Sequence, residues 1–96
     1  MSSDFAKALL EIKAFIAGGG KASQWFAQAY ASWYWVTDFW GVNLNGYERL
    51  DSGNKRLFVK MLNLRELDGW TDSALHSVAL FAVERWNLLP PKRDGA

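Results

Sequence analysis

The chain has 96 residues, 50% of them hydrophobic and 22% charged, a composition that suits one globular domain, residues 1–96, with one core. Eleven basic and ten acidic residues leave a formal charge of +1 with no block of five like charges, which disfavours nucleic acid and anionic membrane surfaces as partners. The lack of cysteine excludes disulfides, thiolate nucleophiles and thiolate metal sites, and it suits a reducing, cytoplasmic setting.

At the start of the chain, neither a basic segment nor an apolar signal core is present, and Lys7, Glu11 and Lys13 interrupt the apolar positions that follow, so no export is expected. Ser2, Ser3 and Asp4 offer capping oxygens. Phe5, Leu9, Ile12 and Ile16 then recur at spacings of four, three and four, which predicts a helix over residues 4–17. Three glycines at residues 18–20 end that helix and supply a hinge. The hinge lets the first helix fold back on its neighbours or reach into a second subunit, which favours a homodimer. Its stripe spans less than two heptads, too little for a free-standing coiled coil.

Ser23 is the expected cap of a second helix over residues 23–39, stopped at Gly41, with Phe26, Tyr30, Trp33, Thr37 and Trp40 as its core stripe. Residues 25–40 hold eight aromatic side chains, Trp25, Phe26, Tyr30, Trp33, Tyr34, Trp35, Phe39 and Trp40, more than one helix face can bury. The uncharged run over residues 22–37 is 16 long and contains glutamine and serine, too short and polar for a membrane span of about 20 residues. Tyr34 and Trp35 line up with Gln24, Gln28, Ala31 and Asp38, away from Trp33. Two large aromatics on a polar face point to partner recognition, with Trp35 and Tyr34 as anchors and Gln28 and Asp38 at the rim. The bland alternatives are a helix covered on both sides or a patch that closes a homodimer. A cation cage from Trp33, Trp35 or Trp40 with Tyr30 is the pocket version of the same feature.

Residues 42–50 contain the turn pair Asn45 and Gly46 and are expected to be loop. Asp51 or Ser52 caps a third helix over residues 52–67, with Leu57, Phe58, Met61, Leu62 and Leu64 inward. Lys55, Arg56, Lys60 and Arg65 point outward as the candidate nucleic-acid face, but the interspersed Glu48, Asp51, Glu66 and Asp68 fit a solvated surface better. Thr71 caps a fourth helix over residues 72–87, with Asp72 in its first turn and Leu75, Val78, Ala79, Ala82, Val83 and Trp86 on a broad apolar face. Leu80 falls among Ser73, Ser77, Glu84 and Asn87, so this helix is expected to be covered on more than one side, and Leu80 joins the candidate partner set. Pro90 and Pro91 stop the helix and leave residues 90–96 as a frayed tail.

The third and fourth helices resemble a helix-turn-helix in outline, yet the outward residues Ser73, His76, Ser77, Leu80 and Glu84 offer no cation to bases or phosphates. His76 is the sole histidine, so zinc lacks ligands, and it reads as half of a solvated pair with Asp72 one turn away. Ser73 and Ser77 share its helix too closely to form a catalytic triad. The glycines before Lys21 lack the rest of a phosphate loop. No catalytic set, metal or cofactor is expected.

These signals predict an all-α protein, a small bundle of about four helices with ~60 to 70% helix. The expected function is a non-enzymatic protein–protein interaction module. It reads as a small bacterial or phage-type regulator or inhibitor of the anti-activator kind, masking a target such as a transcription factor through its aromatic helix face. The rivals are a nucleic-acid-binding module using the third helix and a small-ligand domain with an indole-lined pocket.

Overall fold

A computed structural model describes residues 3–88, of which 71% are helical, with no strand among them. The order is α1 (Asp4–Ile16), α2 (Lys21–Trp35), the single turn α3 (Asn45–Glu48), α4 (Ser52–Leu62), a 3-10 turn (Leu64–Glu66) and α5 (Asp72–Trp86). This is the small all-α bundle that the periodicity predicts, with four helices longer than one turn. No described helix is long and apolar enough to cross a membrane. The predicted frayed tail, 90–96, lies outside the described residues.

Helix α1 begins where Ser3 Oγ accepts the Ala6 N–H at 3.0 Å, and its stripe of Phe5, Leu9, Ile12 and Ile16 is buried as spaced. Its end is tied down from across the bundle. Trp86 donates its indole N–H to Ile16 O at 2.7 Å, while Arg85 donates to Ala17 O and Gly18 O at 3.2 and 3.1 Å. The Arg85 guanidinium also lies 4.5 Å over the Trp86 ring. Carbonyls that a helix C-terminus leaves without partners are thereby satisfied. The expected hinge at residues 18–20 is therefore an anchored turn, and α1 folds back on its own chain. At Gly18 a Cβ would sit 2.7 Å from Ser23 Oγ and 3.1 Å from Phe15 O, so a side chain there would have to displace the buried Ser23 hydroxyl.

Helix α2 starts after Gly20 rather than at Ser23, which is buried in its first turn and does not cap it. It also stops four residues before the expected end. Val36 takes the left-handed conformation, φ 53 and ψ 57, with its N–H and that of Thr37 both returning to Ser32 O. Thr37, Asp38, Phe39 and Trp40 then form a turn in which Thr37 Oγ1 accepts the Phe39 N–H and Asp38 O accepts the Gly41 N–H. Thr37 and Trp40 accordingly leave the predicted helical stripe, and Trp33 and Trp40 are only partly buried.

The expected loop over 42–50 contains α3, which packs beside Trp25. The Trp25 indole N–H donates to Asn43 O at 2.8 Å, and Gly46 lies so close under the ring that any Cβ would overlap it. Asp51 caps α4 by accepting the Asn54 N–H at 2.8 Å, and Leu57, Phe58 and Met61 turn inward. Helix α4 closes at Leu62 because Asn63 breaks helical geometry and its amide donates back to Val59 O. That break re-aims the chain, burying Leu64 and leaving Leu62 46% exposed, where an inward Leu62 was expected.

Thr71 Oγ1 accepts the Ala74 N–H to cap α5. The helix ends with Asn87 left-handed and Leu88 donating to Val83 O at 2.8 Å, a Schellman closure that buries Leu88. Helices α2 and α5 make the most extensive contact in the bundle. Tyr30, fully buried, clamps them through a 2.7 Å hydrogen bond from its hydroxyl to Leu75 O. Phe26 meets Phe15 and Phe58 edge-on at 5.0 and 5.9 Å, joining α1, α2 and α4 in one core.

Candidate interaction surface

The last turn of α2, the turn after it and the first turns of α5 bring a set of aromatic side chains to one surface. Tyr34 is half-buried, and its hydroxyl donates to Asp72, 3.1 Å from each carboxylate oxygen. Its ring stacks on His76 with centroids 5.8 Å apart. Trp35 meets Tyr34, Trp40 and His76 at 5.4, 6.1 and 6.3 Å, and Phe39 meets Trp40 at 5.5 Å. Trp35 is 38% exposed, Phe39 48% and Val36 87%. The result is a continuous apolar surface resting on the clamped pair α2 and α5.

Each of the five candidate partner residues has a definite place. Trp35 lies at the centre and Tyr34 under its flank. Leu80, half exposed, stands one helical turn beyond His76 on the same side of α5. It is not covered on that side, where a second layer was expected. Gln28 is half-buried two turns back along α2, and Asp38 is exposed in the turn between Trp35 and Trp40. Asp72 and His76 are both exposed, as expected of a solvated pair, and the structure adds Tyr34, whose hydroxyl bonds the carboxylate and whose ring stacks on one side of the imidazole. Val36, Phe39, Trp40 and His76 belong to the surface but were not assigned to it by periodicity. The surplus of aromatics is the signal for Phe39 and Trp40, hidden by the early end of α2, whereas nothing in the sequence marks Val36 or His76.

The polar chemistry of this region is lopsided. The Tyr34 hydroxyl is held above the ordinary tyrosine value by desolvation and then by its hydrogen bond to the Asp72 carboxylate, so it stays a donor. The Tyr30 hydroxyl is raised much further, chiefly by burial. Trp40 Nε1 and Ser32 Oγ are buried with no partner among the described residues.

The basic residues on and after α4 are drawn in separate directions. Lys55 is half-buried, 3.6 Å from Glu48 and over the Tyr47 ring, rather than facing outward. Lys60 lies 3.6 Å from Glu11, and the Arg65 guanidinium sits 4.6 Å over Trp33. Arg56 is exposed. The cation cage also fails on geometry, because Tyr30 is sealed in the core and the Trp33 face holds Arg65. Of the indoles, Trp25 lines an open groove of about 260 Å³ with Lys21, Ala22, Gly46 and Arg49. No group of three or more potential metal-ligating side chains occurs among the described residues. Comparison of the chain with protein-family models, curated proteins and solved structures finds no match.

Proposed function

We propose that the protein is a non-enzymatic interaction module whose aromatic surface, centred on Trp35, docks on and masks another protein. The observation that carries this reading is the run of exposed Trp35, Val36 and Phe39 beside half-buried Tyr34 and Trp40. Tryptophan and tyrosine dominate binding hot spots because they offer large area at low conformational cost. Here the rings are already held in place, Tyr34 by Asp72 and His76 and Trp35 by Trp40, so little side-chain freedom remains to be lost on docking. Val36 adds support. A β-branched residue in the left-handed region costs about 1–2 kcal/mol, and such strain concentrates at functional surfaces.

In this reading the protein is a small cytoplasmic regulator of the anti-activator kind, acting by occupying a surface that its target, such as a transcription factor, needs for assembly. Three of the four basic residues proposed for nucleic acid are engaged within the chain, which weighs against that rival. The test uses wild-type and Trp35→Ala protein as baits in lysate, with nuclease added and thermal unfolding measured in parallel. A stoichiometric protein retained by the wild type and lost by a Trp35→Ala bait of near-normal stability is the expected outcome. Retention by both baits, or an unfolded variant, contradicts the reading.

A further inference from the structure

The aromatic surface draws on two stretches of chain that hold no basic residue and are bounded by Lys21, Arg49, Arg65 and Arg85. Residues 22–48 and 66–84, the two segments that supply the aromatic surface, contain Asp38, Glu48, Glu66, Asp68, Asp72 and Glu84 and not one lysine or arginine. Around the exposed rings themselves stand Asp38, in the turn between Trp35 and Trp40, and Asp72, under Tyr34. Arg65 approaches from outside these segments and is spent on the Trp33 face. An apolar surface with an acidic border repels acidic partners and selects cationic ones.

Accepting that this surface is a docking site, we propose that its partner presents arginine side chains among apolar ones. Aromatic faces are electron-rich and attract cations, and a planar guanidinium both stacks on an indole and reaches a carboxylate with paired hydrogen bonds, which a lysine ammonium does not. The chain already uses this chemistry internally. Arg65 lies 4.6 Å over Trp33 and Arg85 4.5 Å over Trp86. At the docking surface the rings of Trp35 and Phe39 are exposed and no cation among the described residues stacks on either; Asp38 is exposed in the turn between Trp35 and Trp40, and the Asp72 carboxylate, also exposed, accepts from Tyr34 alone. The partner supplies the guanidinium. A carboxylate beside Trp35 then orients each arginine, and the apolar neighbours of that arginine cover Val36 and Phe39.

The test titrates labelled full-length protein with a soluble helical peptide carrying leucines and arginines on one face, and with the same peptide bearing citrulline, the neutral isostere, at every arginine. The readout is the indole N–H resonances of Trp35 and Trp40. The arginine peptide is expected to shift both and to bind about tenfold tighter than the citrulline peptide, with the preference shrinking as salt rises. Asp38→Asn, at an exposed position away from the helix caps, is expected to reduce the preference without changing stability. Equal binding of the two peptides overturns the arginine inference and leaves the docking surface standing. Shifts that follow protein concentration alone overturn it in favour of a second copy of this chain as the occupant. No shift with either peptide also overturns it, and the docking reading is then judged separately by the Trp35→Ala bait.

Discussion

Replacing Tyr30 by phenylalanine tests how the surface is supported, because it removes one oxygen from the clamp between α2 and α5 and leaves the ring volume intact. The hydroxyl is fully buried and donates to Leu75 O at 2.7 Å, so its loss should cost about 1 kcal/mol near neutral pH, within the usual net range of 0.5–1.5 for such a bond. The pH dependence is more discriminating. Burial, followed by the nearby Tyr34, holds this phenol protonated well above its ordinary value, with Arg65 opposing and Asp72 adding a smaller push in the same direction as burial. In the unfolded chain it ionises near pH 10. Its contribution is fully present below about pH 10 and is lost as pH rises, at about 1.4 kcal/mol per pH unit, because only the unfolded state releases the proton. Tyr30→Phe has no such proton. Its deficit should therefore vanish between about pH 10 and 11 and become an advantage of roughly 1.5–2 kcal/mol by pH 12. Urea unfolding of both proteins at pH 8, 10, 11 and 12 measures the difference, from which lysine and other shared titrations cancel. A gap that stays constant across that range would show that Tyr30 is not sealed in the core, and the rigid base for the surface would fail with it.

Further outcomes follow from other local features. Val36→Gly should raise stability by about 1 kcal/mol in urea by relieving the left-handed valine, while weakening partner capture; an unchanged or lower stability contradicts the strain. Gly46→Ala should cost about 1–3 kcal/mol and displace the Trp25 indole resonance, since the new methyl overlaps that ring. Arg85→Ala and Trp86→Phe should each cost about 1 kcal/mol and speed amide exchange at Ala17 and Gly18, and unaltered exchange would return residues 18–20 to the status of a hinge.

Where a feature depends on local chemistry, the sequence displays it. The burial of Phe5, Leu9, Ile12 and Ile16 follows from spacing alone; Thr71 caps as expected, Ser3 and Asp51 are the ones that cap among the neighbouring candidates the sequence offers, and Ser23, chosen by the same rule, does not cap. The end of α2 is different. Residues 35–38 carry no glycine or asparagine, yet Val36 takes the left-handed role those residues normally fill, so the rule that located other boundaries ran on to Gly41. Leu62 escaped for a related reason, because Asn63 ends the helix and shifts the inward face to Leu64. At the candidate surface, helical spacing set Tyr34 and Trp35 apart from the core stripe. Their link to Asp72 and His76 spans about 40 residues and exists only once α2 lies along α5, which spacing within one helix cannot reveal.

The most direct measurement of the central claim is a paired one, the stability of Trp35→Ala and its capacity to retain the partner held by the wild-type protein. With Trp35 at the surface and Trp33 lodged between Tyr30 and Arg65, Trp35→Ala should change stability by less than Trp33→Ala does while weakening the partner by at least about 2 kcal/mol, near thirtyfold. Full partner retention by a folded Trp35→Ala protein, or a loss of stability as large as that of Trp33→Ala, would place this indole among structural residues and contradict the account.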